Sequence, residues 1–147
     1  MTMRMLNTFL NLVNSLTTGS DPLLKTVMYA DNFDANIRID RKPTPAAVTY
    51  LLSGFEVDVD SGLRKDRVDV EVFVFDRCDF AAKGESVKTV MDSLEPAVDE
   101  IISLVMGERS WVVEGKIKAT TAYGRFDTNV CGYSLQFTLV ERQGRCV

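Results

Sequence analysis

The sequence predicts an α+β fold: an antiparallel or mixed β-sheet with a long amphipathic helix packed on one face and an N-terminal helix alongside. Three patterns lead to this prediction. Apolar residues recur at helical spacing over residues 85–106, whereas alternation of apolar and polar residues marks a hairpin over 46–75 and a strand pair over 111–140. Strand pairs on both sides of one helix are most simply joined in a single sheet, whose apolar face the helix covers.

Length and composition favour one domain over residues 1–147, with enough apolar residues for a real core. The formal net charge is −4, which disfavours nucleic-acid binding through a broad basic surface. No apolar run reaches the ~18 residues that a membrane-spanning helix needs. Residues 1–20 lack the small-residue cleavage site of a signal peptide, and we expect them to form a helix of the mature protein.

The chain has no histidine, which bears directly on catalysis. Its absence removes Ser-His-Asp and Cys-His catalysis, imidazole metal ligation and the usual general base near neutral pH. Cys78, Cys131 and Cys146 are too few and too scattered for a disulfide framework or a zinc site, and their odd number fits a reducing compartment. We therefore expect no enzyme activity, no metal and no cofactor.

The best-determined element is the helix over residues 85–106. Its apolar stripe comprises Val87, Val90, Met91, Leu94, Val98, Ile101, Ile102 and Val105. Pro96 lies in the middle and removes one backbone hydrogen bond, at a cost of about 3 kcal/mol in an ideal helix. Each buried stripe residue gains roughly 1.5–3 kcal/mol, so the stripe outweighs the proline. The sequence predicts one bent helix or two short helices that meet near Leu94.

The N-terminal part of the chain contains a second helix and one extended segment. Apolar residues at helical spacing predict a helix over residues 3–17, and Gly19 is placed to end it. Residues 23–30 are predicted as a strand or extended segment. The polar stretch over residues 31–43 is predicted as a loop.

The hairpin over residues 46–75 has one apolar and one polar face. Ser61 and Gly62 mark its turn, and valines alternate with acidic residues on the return strand at Val68, Val70, Val72 and Val74. Phe73 and Phe75 continue the polar face, which therefore becomes apolar towards one end. We expect a second surface to cover these two phenylalanines: a helix, a neighbouring sheet or another subunit.

Two alternating stretches after the long helix predict the remaining strands, antiparallel to each other. The first begins at Trp111, whose default role is core packing, and the second runs from Cys131 to Leu139. Residues 120–128 contain many turn formers and are predicted as the connection between them. Residues 143–147 are predicted as a loose polar tail.

Five carboxylates of the hairpin form the first candidate site. Alternation puts them on one face of the sheet: Glu56, Asp58, Asp60, Asp69 and Glu71. One interpretation is a divalent-cation site or an acid pair. The other is an ordinary solvated outer face, which we favour because the run lacks the spacing of a calcium-binding loop.

A charged stretch after the turn is the second candidate surface, and it consists of Arg64, Lys65, Asp66 and Arg67. As the tip of a long hairpin it is suited to contact an acidic partner, and an ordinary charged hairpin end is the alternative. The predicted partner contacts are these four residues together with Phe73 and Phe75. Cys78 has no histidine to activate it, so we expect a packed thiol and not a nucleophile.

The order of the elements resembles that of the tail terminator and tail-completion proteins of long-tailed bacteriophages. An N-terminal helix, an extended linker, a strand led by proline, a long hairpin, an amphipathic helix and two closing strands follow one another. The matching stretches are Leu6–Leu16, Pro45–Phe75, Glu85–Met106 and Trp111–Val140. The resemblance is one of pattern and length and includes no fixed motif.

The resemblance implies a structural virion protein without catalytic activity. Such subunits form a ring, hexameric in the family, that caps the tail tube and joins it to the head. The implied partners are further copies of the chain, the tail tube protein and head–tail connector proteins, with DNA passing through the lumen without specific binding. The implied location is the tail–head junction of the virion, after assembly in the host cytoplasm.

Three alternatives stay open beside the tail terminator. The first is that the chain is another head–tail connector or neck subunit, since these also use small α+β folds. The second is a non-viral adaptor or ligand-binding domain, for which a closed apolar pocket between helix and sheet is expected. The third alternative is an enzyme that uses the carboxylates between Glu56 and Glu71.

Overall fold

The structure is a computed structural model that describes residues 2–29, 43–60, 62–78, 84–123, 130–142 and 145–146. Within these residues, two α-helices pack with a six-stranded sheet. The helices are α1 (Thr2–Asn14), which a short 3-10 helix (Ser15–Thr17) continues, and α2 (Gly84–Gly107). The strands are β1 (Thr26–Tyr29), β2 (Ala46–Asp60), β3 (Leu63–Arg77), β4 (Trp111–Tyr123), β5 (Val130–Glu141) and β6 (Arg145–Cys146). The predicted α+β class is confirmed.

The sheet is mixed, with the strand order β1-β2-β3-β5-β4 and with β6 paired to β3 outside this path. β1 runs parallel to β2, whereas every other described pairing is antiparallel. β1 pairs only with Ala46–Thr49, the first four residues of β2. The sequence left antiparallel and mixed sheets open, and the short parallel strand β1 decides between them.

Both helices pack on one face of the sheet, which we call the front face. The β3 valines that the alternation predicted to be apolar lie on it, and Val70, Val72 and Val74 are fully buried in the main core. Phe9 of α1 belongs to the same core and meets the ring of Phe137 edge-on, with ring centroids 5.6 Å apart. The front face is therefore covered by the two helices, as the sequence predicted.

α2 is one helix that runs through Pro96 without interruption. Leu94, Ala97 and Ile101 are buried around the proline, while Pro96 itself faces solvent. Packing of the apolar stripe against the sheet holds the helix together across the missing hydrogen bond. The alternative of two short helices is therefore wrong.

Most predicted elements begin and end within two residues of the observed ones. The first strand, predicted from residue 23, begins at Thr26, and two further differences lie at turns. Residues 120–123 belong to β4 and not to the connection that follows it. Arg145 and Cys146 form β6, which pairs with the start of β3 where β5 no longer reaches, so the tail is not wholly loose. The loop predicted over residues 31–43 lies, apart from Pro43, outside the described residues.

Candidate functional site

The predicted charged tip is part of a strand. β2 ends at Asp60 and β3 already begins at Leu63, so the stretch 64–67 pairs with residues 56–59 of β2. Asp66 is 0% exposed: its carboxylate accepts a 2.8 Å hydrogen bond from Arg64 Nε, and its backbone N–H donates to Glu141 Oε1 at 2.8 Å. The prediction of a projecting tip is wrong, because the turn takes fewer residues than the charge pattern suggested.

Of the four charged residues in this stretch, only Lys65 is exposed. Arg67 is half-buried and reaches across β5, where its guanidinium makes a 2.8 Å ion pair with Glu114 of β4. That hydrogen-bonded carboxylate raises the pKa of the Arg67 guanidinium above its ordinary value. A contact between this stretch and a partner stays a prediction, and Lys65 is the residue best placed to make it.

The two phenylalanines predicted to need a partner are already buried in the single chain. Phe73 and Phe75 are each 0% exposed and stack on each other with ring centroids 5.2 Å apart. They belong to a second apolar cluster on the sheet's other face, the back face, together with Val48 and Met28. Because this cluster is closed within one chain, the cover expected for Phe73 and Phe75 does not require another subunit, and neither side chain has exposed surface to offer the predicted partner.

The predicted carboxylate face is not a uniformly acidic surface. Strand register places Glu56 directly opposite Arg67 and Asp58 directly opposite Lys65 on the back face. Glu56 and Arg67 form a 3.8 Å ion pair. Glu56 and Asp58 thus each have a cation across from them, which fits a charge-balanced sheet face better than a cation site. The side chain of Asp60 lies outside the described ones.

Glu71 and Asp69 have structural partners within the sheet. Glu71 is buried and accepts a 2.8 Å hydrogen bond from the Tyr50 hydroxyl, with Gln136 Nε2 at 3.5 Å on its other oxygen. Asp69 accepts a 2.6 Å hydrogen bond from the Thr138 hydroxyl. These bonds tie β3 to its neighbours on both sides, and Glu71 does not belong to a solvated outer face.

Both long outer strands leave regular pairing at the same level of the sheet. β2 shifts register against β3 between Leu51 and Phe55, and β4 shifts against β5 between Glu114 and Lys118. The shift in β4 includes Gly115, whose φ of 70° is a conformation that glycine adopts without steric cost. Irregularities of this kind increase local twist and are common on edge strands and beside functional sites.

An open cavity of about 290 Å³ lies at the level of these irregularities. Its lining comprises Leu52, Asp69, Lys116, Lys118, Gln136, Phe137 and Thr138. The Asp69 carboxylate in this lining already accepts a hydrogen bond from the Thr138 hydroxyl. The other charged groups of the lining are the two lysines. The cavity is therefore a shallow polar depression suited to a small anion or to a neighbouring strand.

Two thiols lie together under α2. Cys78 and Cys131 are both buried and form one small cluster with Met91. Burial, and then the neighbouring thiol of Cys78, hold the pKa of the Cys131 thiol well above its ordinary value. The Cys78 side chain is itself buried beside Met91 and Cys131, which agrees with the expectation of a packed thiol there.

The most exposed part of the sheet is its two outer edges. Among the described strands none pairs with the outer side of β4, and none pairs with the outer side of β2 beyond Thr49. Exposed apolar side chains lie on both edges, among them Val59 of β2 at 63% and Val112 of β4 at 44%. Sequence reasoning missed these edges, because alternation identifies strands without giving their order in the sheet.

Compared with known proteins, the chain matches no family model, and no curated protein matches it. Among the described residues, no three His, Cys, Asp or Glu side chains form a group that could hold a metal ion. Neither of the two described helices is long and apolar enough to cross a membrane. The function must therefore be inferred from the residues of this chain.

Proposed function

We propose that this chain is a structural subunit that assembles with copies of itself into a ring. In the form suggested by the resemblance, the ring is the tail terminator of a bacteriophage particle. One observation carries the proposal: a single sheet presents two long strand edges on opposite sides, and both edges bear exposed apolar side chains. No catalytic step is part of this function.

Exposed strand edges favour pairing with another chain. The outer N–H and C=O groups of an edge strand are a ready template for one more strand. Val59 and Val57 on the β2 edge and Val112 on the β4 edge add apolar surface that a neighbour would remove from water. Soluble single-chain proteins usually keep such edges short or covered.

The two edges are different surfaces, which determines the kind of assembly. A contact between unlike patches is heterologous, so each copy keeps one patch free for the next copy. Repetition of such a contact closes into a ring when the rotation per subunit divides a full turn. This property supports a ring over a simple two-fold dimer.

The surface that supports assembly in the structure differs from the one predicted from the sequence. The sequence placed the contact at Phe73 and Phe75, and both are buried within one chain. The free edges of β2 and β4 take their place as the reason to expect neighbours. The tail tube protein and the head–tail connector proteins remain the proposed partners at the two ends of the ring.

Passage of DNA through the lumen without specific binding is also part of the proposal. The back face alternates acidic and basic residues, with Glu56 and Asp58 across from Arg67 and Lys65. Salt-dependent affinity for DNA grows with the number of phosphates that cations neutralise, and a balanced face neutralises few. The net charge of −4 also disfavours binding of DNA.

A small ligand-binding domain is the second candidate function, and the open cavity beside Lys116 and Lys118 favours it. Its two lysines suit a small anion, which predicts a shift in the melting temperature on addition of phosphate or a dicarboxylate. A connector or neck subunit uses the same kind of assembly as a terminator. The two are separated by testing which of the tail tube or connector proteins the assembled ring captures.

Sedimentation velocity over a wide concentration range, combined with negative-stain electron microscopy, tests the proposal. We expect a closed ring with one fixed number of subunits, with six as the value that the resemblance implies. Antibody labelling of phage particles that contain the chain should then mark the tail–head junction. A monomer at the highest soluble concentration, without closed particles in the images, would overturn the proposal.

A further inference from the structure

We propose that neighbouring copies join by continuing the sheet, so that the outer edge of β4 (residues 111–123) in one copy pairs with the outer edge of β2 (residues 51–60) in the next. This inference rests on the proposed function, since it names the surfaces by which copies assemble. The occupant of each edge is a second copy of this chain. Three properties of the two edges support the pairing: availability, direction and charge.

Both edges are long, and in the part of the chain that the structure describes no further strand covers them. β4 has 13 residues, and no described strand pairs with its outer side. On the opposite side of the sheet, β1 covers only Ala46–Thr49 of the 15-residue strand β2, and no other described strand pairs with the outer side of residues 51–60. Each edge therefore offers enough backbone for a junction as long as an average strand.

The strand directions allow an antiparallel junction. β2, β3, β5 and β4 are neighbours in that order, and each pair is antiparallel, so β2 and β4 run in opposite directions. If neighbouring copies are related by a rotation about an axis parallel to the strands, β4 runs in the same direction in every copy. β4 of the next copy is then antiparallel to β2 of the first copy. This is the same kind of pairing that joins β2, β3, β5 and β4 within each copy.

The charges on the two edges are complementary. Residues 51–60 of β2 carry Glu56, Asp58 and Asp60 and no basic residue, and β4 carries Lys116 and Lys118. Within one copy Glu56 already makes a 3.8 Å ion pair with Arg67 of β3, which a lysine of the next copy would join. Asp58 and Lys118 lie on the same face of the sheet, the back face, because each is in register with back-face residues of the adjacent strand. A continued sheet would therefore place the acids of one copy beside the lysines of the next.

The lysines of β4 are free to make these contacts. Among the described residues, neither Lys116 nor Lys118 has a carboxylate within 4.0 Å, and the acid of β4, Glu114, is already paired with Arg67 at 2.8 Å. Opposite charges directly across a strand junction stabilise it, and like charges there oppose it. The junction is thus specific for unlike edges, because β2 against β2 would bring acids together.

The competing role for the same lysines is protection of an edge from association. Lysine side chains and strand irregularities on an edge are devices by which proteins prevent strands of other copies from pairing. The two roles make opposite predictions for charge reversal. Protective lysines predict more association when they are removed, whereas a complementary junction predicts less.

Paired charge reversals in the full chain test the inference. One variant carries Lys116→Glu and Lys118→Glu, and the other carries Glu56→Lys and Asp58→Lys. In the first variant both edges are acidic, and in the second both are basic. The matched control for the second variant is Asp99→Lys with Glu100→Lys, which makes the same change in net charge on the exposed side of α2. Circular dichroism and thermal unfolding confirm that each variant is folded before it is used.

We expect neither reversed variant to assemble alone, with an association constant lowered more than about tenfold, while the control assembles as the wild type does. An equimolar mixture of the two reversed variants should assemble again, since every junction then joins an acidic edge to a basic one. The mixed particle should contain the variants in equal number. This recovery also shows that each variant retains its fold.

The outcomes separate this inference from the proposed function. If the wild type forms rings and both reversed variants form the same rings, the junction lies elsewhere and the sheet-continuation inference is overturned. The same conclusion follows if the lysine variant associates more strongly than the wild type. If the wild type stays monomeric, the proposed function itself fails.

Discussion

The indole Nε1 of Trp111 donates a 2.8 Å hydrogen bond to the carbonyl oxygen of Val105, and this bond ties the first residue of β4 to the last turns of α2. Trp111 is almost fully buried and its ring lies 6.4 Å from the ring of Phe9 in α1. One side chain therefore fixes both helices to the edge strand that we propose as an assembly surface.

Replacing Trp111 with phenylalanine should lower the free energy of unfolding by about 1–3 kcal/mol. The substitution removes the hydrogen bond to Val105 and leaves a cavity beside Phe9. Urea unfolding followed by circular dichroism measures the change. Val112→Ala, at the exposed position next along β4, is the matched control and should change the unfolding free energy by less than about 0.5 kcal/mol. Equal midpoints for Trp111→Phe and the wild type would contradict this role.

Gly132 should tolerate no side chain. It pairs with Phe75 across the β3–β5 junction, where an added Cβ would overlap the carbonyl oxygen of Val74 and lie 2.7 Å from the Cα of Phe75. Gly132→Ala should therefore force the two central strands apart and cost about 3 kcal/mol or more. Gly107→Ala is the control, because a Cβ there meets nothing within 4 Å. Thermal unfolding that gives the two variants the same melting temperature would refute the prediction.

Removing the hydroxyl of Thr49 should stabilise the protein. Thr49 Oγ1 is buried and has no hydrogen-bond partner among the described residues, and valine has nearly the same shape. Thr49→Val should raise the free energy of unfolding by about 1 kcal/mol, since the valine spares the desolvation of an unpaired hydroxyl. Thr138→Val makes the same chemical change but removes the 2.6 Å bond to Asp69, so it should destabilise. Opposite signs for the two variants in urea unfolding are the expected result, and a shared sign would contradict it.

Stability should fall at alkaline pH through Cys131. The folded state holds the pKa of this thiol above its ordinary value of 9.0, so the folded protein keeps the proton while the unfolded chain releases it. The contribution of Cys131 is fully present below about pH 9 and is lost as the pH rises above that value. Cys131→Ala should therefore lose less stability than the wild type between about pH 8 and pH 10.

The matched control for the pH dependence is Cys78→Ala. Burial is the larger cause of the raised Cys131 pKa and the Cys78 thiol is the smaller one, so this variant should keep most of the alkaline loss. Urea midpoints measured at each pH give the comparison. Parallel curves for the wild type and Cys131→Ala would show that this thiol contributes nothing to the pH dependence.

The elements of this fold could be predicted because each has a periodic apolar pattern. The stripe of α2 and the alternation of β3 reflect burial of one face, which a single sequence records directly. Trp111 was expected in the core for its size alone and is found there. Most element boundaries followed from the same patterns to within two residues, except at the start of β1 and the end of β4.

The candidate site could not be predicted in the same way, because it depends on which strands are neighbours. Phe73 and Phe75 look like an uncovered surface in the sequence, and only the packed structure shows them buried with Met28 and Val48. Asp66 looks like part of a solvated tip, and its burial depends on Glu141, which is 75 residues further along the chain. The free edges follow from strand order, which alternation does not give.

Amide hydrogen exchange in the dilute and the assembled protein tests most directly the claim that copies meet at these edges. Continuation of the sheet would give the outer N–H groups of β4 and of residues 51–60 new hydrogen-bond acceptors, so we expect their exchange to slow on assembly. The exposed side of α2 should exchange equally in both states. Unchanged exchange on both edges, or new protection confined to the helices, would contradict the claim.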